Sequence, residues 1–222
     1  MITSRARGAP AIRCRLFLPQ FTFAMFALVQ AVVVQNAAAQ NIVRIEEDWE
    51  LVIREPEPNT EAPQVTCVIS PVGHIDGLYS VFDLNLRHNP DYAAGGIQIQ
   101  LWSGTDTLSS SSSNRGVLLQ TPGETITWTQ VMKLQDGDLS FQVISGSSQT
   151  WGSFGGGPKL LVSHASGLES LSGYDSAVSV ANSGIGYSGH RVSSLILKKV
   201  RVYAESGESV EDAVPKVVHQ HE

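Results

Sequence analysis

Beyond its first forty residues, the chain alternates apolar and polar side chains, interrupted by clusters of Gly, Ser, Asn and Asp. Successive side chains of a strand point to opposite faces, so this alternation predicts half-buried strands. A helix would instead repeat its apolar stripe about every 3.6 residues. The predicted strands are Trp49–Arg54, Val65–Ser70, Leu78–Leu86, Gly96–Trp102, Gly116–Gln120, Glu124–Leu134, Leu139–Ser145, Lys159–Ser163, Ala177–Ala181 and Val192–Tyr203. Gln135-Asp136-Gly137-Asp138 lies between two alternating runs and predicts a hairpin, because Asp-Gly accepts the positive φ angles of a tight turn. Short strands at this spacing predict an all-β fold, a two-sheet antiparallel β-sandwich or jelly roll.

The intervening segments read as irregular. Ser103 to Arg115 holds five consecutive serines, Ser109–Ser113, and few groups able to bury, which predicts a mobile excursion between strands. Gly152–Pro158 is glycine-dense around Phe154 and suits a tight crossover or a rim beside a ligand. Pro56, Pro58 and Pro63 mark another irregular stretch. Residues 205–222, with Glu205, Glu208, Glu211 and Asp212, read as an acidic, flexible tail, leaving 40–204 as the β-sandwich domain.

Residues 1–39 have the layout of a signal peptide. Arg5, Arg7, Arg13 and Arg15 precede an apolar run from Phe21 to Val34, and Ala37-Ala38-Ala39 offers small side chains to a signal peptidase. Leu16–Val34 is nearly long enough for a membrane anchor, but Pro19, Gln20, Thr22 and Gln30 dilute it. The expectation is a secreted protein with no membrane association after cleavage.

Export changes the charge. Removing the four leader arginines leaves 11 basic side chains against 21 acidic ones, a net charge near −10. Nucleic-acid affinity comes largely from Lys and Arg displacing counterions, so nucleic acid is not an expected partner. Cys14 leaves with the leader and Cys67 stands alone in a strand-like run, which excludes an internal disulfide and suits a buried, inert thiol.

Trp128 to Gly146 opens a strand on tryptophan, turns at Asp-Gly and closes on Ser-Gly. This segment resembles the central hairpin of concanavalin A-like and laminin G-like jelly rolls, and Leu195–Tyr203 is similar to their closing strand. The resemblance implies a fold used for carbohydrate or protein recognition and sometimes for glycan hydrolysis. Fold likeness alone does not transfer function.

Three carboxylates carry a hydrolase alternative. Glu46-Glu-Asp-Trp-Glu50 matches the Glu-x-Asp-x-Glu strand pattern of some jelly-roll glycoside hydrolases, and an extended backbone puts Glu46, Asp48 and Glu50 on one face. In those enzymes the motif lies in mid-chain within a cleft, whereas here it opens the mature protein. Nucleophile elbows, phosphate loops and dinucleotide fingerprints are missing from the sequence, so no catalytic residue is assigned. His74, His88, His164 and His190 are scattered, and His219 and His221 sit near the terminus. No cofactor is expected. Calcium would need several oxygen ligands, but Asp136 and Asp138 are explained by the hairpin turn alone.

Recognition has better candidates. Gln98, Gln100 and Trp102 lie opposite Ile97, Ile99 and Leu101, while Thr127 and Thr129 lie opposite Ile126, Trp128 and Met132. Gln142 likewise opposes Phe141 and Val143. If these strands are neighbours, one sheet shows neutral amides and hydroxyls bordered by a tryptophan. Such a face suits a glycan or another cell-envelope component, and Trp151 is a second stacking candidate. The expected function is a secreted non-catalytic binding domain. The alternatives are the hydrolase and a structural surface or matrix protein.

Overall fold

The computed structural model describes residues 41–55, 62–86 and 95–221. The leader, His88, Pro56 and Pro58 lie outside the described residues. The elements in chain order are β1 (Ile42–Ile53), β2 (Gln64–Ile69), β3 (Leu78–Leu86), β4 (Gly96–Ser103), β5 (Asp106–Asn114), β6 (Thr125–Gln135) and β7 (Asp138–Ser148). They continue with β8 (Gly152–Phe154), β9 (Leu161–Ala165), α1 (Ser176–Asn182), β10 (Gly184–Tyr187), β11 (Val192–Ala204), β12 (Ser209–Asp212) and β13 (Lys216–Gln220).

These strands build the expected two-sheet antiparallel sandwich. The first sheet has eight strands ordered β12-β11-β1-β6-β7-β8, with β13 also on β11 and β9 also on β7. The second has five, ordered β10-β2-β3-β4-β5. The core lies between them, where Ile45, Leu51, Ile126 and Phe141 meet Cys67, Phe82, Ile97 and Ile99. Trp49 and Trp128 stack at 6.2 Å within the first sheet, and Phe82 reaches across to Trp128 at 6.0 Å. The Asp-Gly hairpin forms as expected, with Asp136 and Gly137 both at positive φ.

Four expectations are corrected. The serine run is a strand, not a mobile excursion: Ser109, Ser111 and Ser113 pair with Leu101, Ile99 and Ile97 as β5, the edge of the second sheet. An edge strand buries little, so small hydroxyl side chains suffice once the backbone is paired. Ala177–Ala181 lies in the helix α1, because Asp175 caps its start by accepting from Ala177 N at 2.8 Å. Gly116–Gln120 is no strand; buried Leu119 instead donates its N–H to Asn85 Oδ1. Past Ala204 the described residues, 205–221, are not a flexible tail, since β12 and β13 both pair with β11 and extend the domain.

The sandwich's two flanks are closed differently. On one, α1 packs against β2 and β13. On the other, β9 approaches β4 and β5, and Leu160 N donates to Ser111 Oγ at 2.9 Å.

Candidate functional site

The outer face of the first sheet is a grid set by register. On β1, Glu46, Asp48 and Glu50 lie on the outer face together, as expected, with Glu46 already buried among its partners there, while Ile45, Glu47, Trp49 and Leu51 are buried on the inner face. Antiparallel pairing places Glu46 opposite Arg201 and Val131, Asp48 opposite Lys199 and Thr129, and Glu50 opposite Ile196 and Thr127. One strand further, Ser147 faces Thr127 and Ser145 faces Thr129. An acidic strand is thereby flanked by cations on β11 and by hydroxyls on β6 and β7.

The charges are locked to one another. Arg201 donates two nitrogens to Asp48 at 2.8 and 2.9 Å and its Nε to Glu46 at 2.6 Å. Thr129 donates to Asp48 at 2.7 Å, Tyr203 donates to Glu46 at 3.0 Å, and Lys198 pairs with Glu50 at 3.1 Å. Burial pushes the Glu46 carboxyl up, but hydrogen bonds from Arg201 and Tyr203 and the charges of Arg44 and Arg201 outweigh it. The net result holds Glu46 below the usual carboxylate range. A glycosidase acid must carry its proton at working pH; Glu46 is tuned the other way.

Between these charges and the hydroxyl strands lies an open depression of about 400 Å³, lined by Asp48, Thr127, Thr129, Ser145, Lys198 and Arg201 among others. Of the sequence-predicted binding residues, Thr127 and Thr129 line it. Gln142 is on the same sheet, where its amide donates to Gly157 O at 3.2 Å. Reasoning from sequence did not find Arg201, Lys198, Ser145 or Ser147. The signal was in the Lys-Lys-Val-Arg run of β11, whose position beside β1 only the register reveals.

The single polar face assembled from β4, β6 and β7 does not exist. The strand β4 belongs to the second sheet, so Gln98, Gln100 and Trp102 face outward on the opposite side of the molecule. There Gln98 lies between Asp83 and Ser112, and Gln100 between Val81 and Ser110. Trp102 stacks on Tyr79 at 6.4 Å and is half-buried. Alternation fixes inside from outside but not the sheet to which a strand belongs. Trp151 is no stacking platform: it is buried against Phe154, and its indole donates to Val117 O at 2.7 Å.

A second polar cluster lies inside the sandwich. Glu47 is fully buried, its Oε1 accepting from Tyr174 (2.7 Å) and Ser179 (2.6 Å), its Oε2 from Gln130 (2.6 Å) and Trp49 (3.0 Å). Burial raises this carboxyl despite the four donors. Nearby Cys67 is also buried, and burial first, then the Glu47 and Asp83 charges, push its thiol well up. That is the environment of an inert thiol.

Among the described residues, no group of three or more His, Cys, Asp or Glu side chains gathers to hold a metal. No described helix is long and apolar enough to cross a membrane. No protein-family model matches the chain, and no curated protein matches it.

Proposed function

We propose that this is an exported, non-catalytic β-sandwich that holds a neutral, hydroxyl-rich ligand, a glycan or another cell-envelope component. The depression over β1, β6, β7 and β11 is its site. One observation carries the reading: four hydroxyls, Thr127, Thr129, Ser145 and Ser147, line the depression on one side of a locked Asp48–Arg201 pair, with Lys198 on the other. Hydroxyls both donate and accept, which matches the dual character of sugar hydroxyls. A hydrogen bond to a charged group contributes about 1.5–3 kcal/mol, more than a neutral one. Because Arg201 and Thr129 already fix Asp48, little side-chain freedom is lost on binding. The likeness of Trp128–Gly146 to concanavalin A-like hairpins points the same way, by fold analogy.

The hydrolase alternative uses the same face, with Glu46, Asp48 and Glu50 turned outward together. The matrix-protein alternative needs no site. A glycan array separates the three. Capture of one glycan class, weakened roughly tenfold (about 1.4 kcal/mol) by Thr127→Val or Ser147→Ala and untouched by Trp102→Ala, supports the depression. Loss of binding in Trp102→Ala or Gln100→Ala moves the site to the second sheet. Polysaccharide cleavage that vanishes in Glu46→Gln establishes the hydrolase, and no glycan captured by any variant leaves the matrix reading.

A further inference from the structure

A strand at the rim of a sheet turns alternate N–H and C=O groups outward, a template for another chain. Folds blunt such rims by shortness, charge, proline or bulges. Three of the four rims here are blunted. Both rims of the first sheet are split into two short strands. β12 and β13, of four and five residues, share one side of β11, and β8 and β9, of three and five, share one side of β7. Glu211 and Asp212 stand on β12, and Pro215 separates it from β13. In the second sheet, β10 has four residues and a register shift.

The fourth rim is different. The strand β5 runs for nine residues, and among the described residues it pairs with β4 alone. None of the nine is buried, and only Asp106, at its start, is charged. Its one register shift falls at Leu108, so Ser109–Asn114 pairs without interruption against residues 96–101. The neighbouring β9 pairs with β7, and the adjoining Leu160 N reaches only the inward hydroxyl of Ser111.

The side chains of this rim match a copy of themselves. Ser109–Ser113 reads the same in both directions. A second β5 laid antiparallel about a two-fold axis at Ser111 therefore sets serine against serine at all five positions. Ser109 meets Ser113 of the second copy, and Ser110 meets Ser112. Cross-strand hydroxyl pairs are favourable. Charge points the same way. With a formal net charge of −6, two copies meeting at β12 would set Glu211 and Asp212 against one another, whereas Ser109–Asn114 brings no charge to the contact. Any extended segment could satisfy the bare backbone, but a copy of β5 adds the symmetric match.

We infer that two copies of the protein join edge to edge through β5, merging two five-stranded sheets into one of ten strands. Each copy has one such rim and the contact consumes both, so the assembly closes at two. About six residues a side bury less than the roughly 1,200 Å² of a standard interface, which makes the dimer weak, with a Kd on the order of 100 μM. The depression lies on the first sheet, so pairing through the second neither requires nor blocks a ligand there.

Sedimentation velocity of the purified protein from about 10 μM to about 1 mM should show a reversible shift from monomer to dimer. Amide exchange within Ser109–Ser113 should slow roughly threefold over the same range. Ser110 and Ser112 are exposed on the outer face, so a Ser110→Lys/Ser112→Lys variant and a Ser110→Glu/Ser112→Glu variant should keep the native circular dichroism. Each alone should stay monomeric, and a mixture of the two should restore the dimer. Val210→Lys, on the rim of the first sheet, should leave the equilibrium of the native protein unchanged. A protein monomeric at about 1 mM, a dimer that survives in both charged variants, or a mixture that stays monomeric overturns the inference. Loss of the dimer in Val210→Lys, or growth beyond two copies, overturns it too. If the charged variants misfold, the native protein decides alone: exchange in Ser109–Ser113 that is independent of concentration overturns the inference.

Discussion

The hydroxyl of Ser179 donates to Glu47 Oε1 at 2.6 Å, fastening a helix of about two turns to a strand 132 residues earlier through a carboxylate with no exposed surface. Tyr174 makes a second bond to the same oxygen, so the segment that closes one flank is held by a polar contact inside an apolar core.

This contact sets a stability prediction. Glu47→Gln should change stability at neutral pH by less than about 1 kcal/mol, because the Ser179 and Tyr174 hydroxyls can turn to accept from the new amide. Glu47→Leu should cost about 3 kcal/mol, since it strands Trp49 Nε1 and Gln130 Nε2 without an acceptor. The pH dependence has an unusual sign for a carboxylate. Burial raises the folded value above the unfolded one, near 4.5, so ionised Glu47 costs stability at neutral pH. That cost is relieved as pH falls through the raised value. The stability of the native protein relative to Glu47→Gln should therefore improve on acidification, as read by urea unfolding at neutral pH and near pH 5.

Glu46 behaves in the opposite way. Its lowered value means that the stabilisation from Arg201 and Tyr203 is complete above the unfolded value near 4.5 and is lost as pH falls through the lower folded one. Arg201→Met should cost about 1–2 kcal/mol at neutral pH, a figure discounted for the quarter of the Arg201 side chain that solvent reaches. The difference between Arg201→Met and native protein should shrink steadily toward pH 3; a difference independent of pH would contradict the ion-pair account.

Gly146 lies against the ring of Phe154, and a Cβ there would intrude into Cε2 and Cζ. Gly146→Ala should cost about 2 kcal/mol by overpacking. The double variant with Phe154→Leu should recover part of that loss, measurable as a positive coupling in a double-mutant cycle.

Cys67 should stay silent to an aromatic disulfide reagent in the native state and react fully once urea unfolds the sandwich. Its side chain has no accessible surface, and burial keeps it protonated. Reaction at the native rate of a free thiol would mean that the Cys67 face of β2 opens on its own.

The strands legible in the sequence are those whose inward side chains are large. The strand β3 begins and ends where alternation places it, and the β6–β7 hairpin turns at the expected Asp-Gly, because burying Phe82, Trp128 and Phe141 dictates both face and register. The strands β5, β12 and β13 were hidden because edge strands gain order mainly from backbone pairing, which leaves little mark on side-chain choice. The helix α1 was hidden because Ser176–Asn182 is too short to show a helical stripe; the one local sign is the Asp175 cap. Glu47 reads in the sequence as one more member of an acidic run. Only the alternation of β1 separates it from outward Glu46 and Asp48, and only tertiary contact supplies Tyr174 and Ser179. The site was half legible for the same reason: Thr127 and Thr129 follow from the strand pattern, whereas Arg201 and Lys198 depend on which strand lies next to β1.

The five identical side chains of β5 leave that strand with unusually few registration marks. Sliding it two residues along β4, so that Ser113 and Ser112 move opposite Ile99 and Gln100, would keep serine at both positions. What holds the alignment is the Ser111 bond to Leu160, together with the pairings of Thr107 with Trp102 and Asn114 with Gly96. Insertions or deletions of serine pairs are then nearly silent for this sheet, while an odd number turns Thr107 or Asn114 to the wrong side. The length of the run can drift in steps of two.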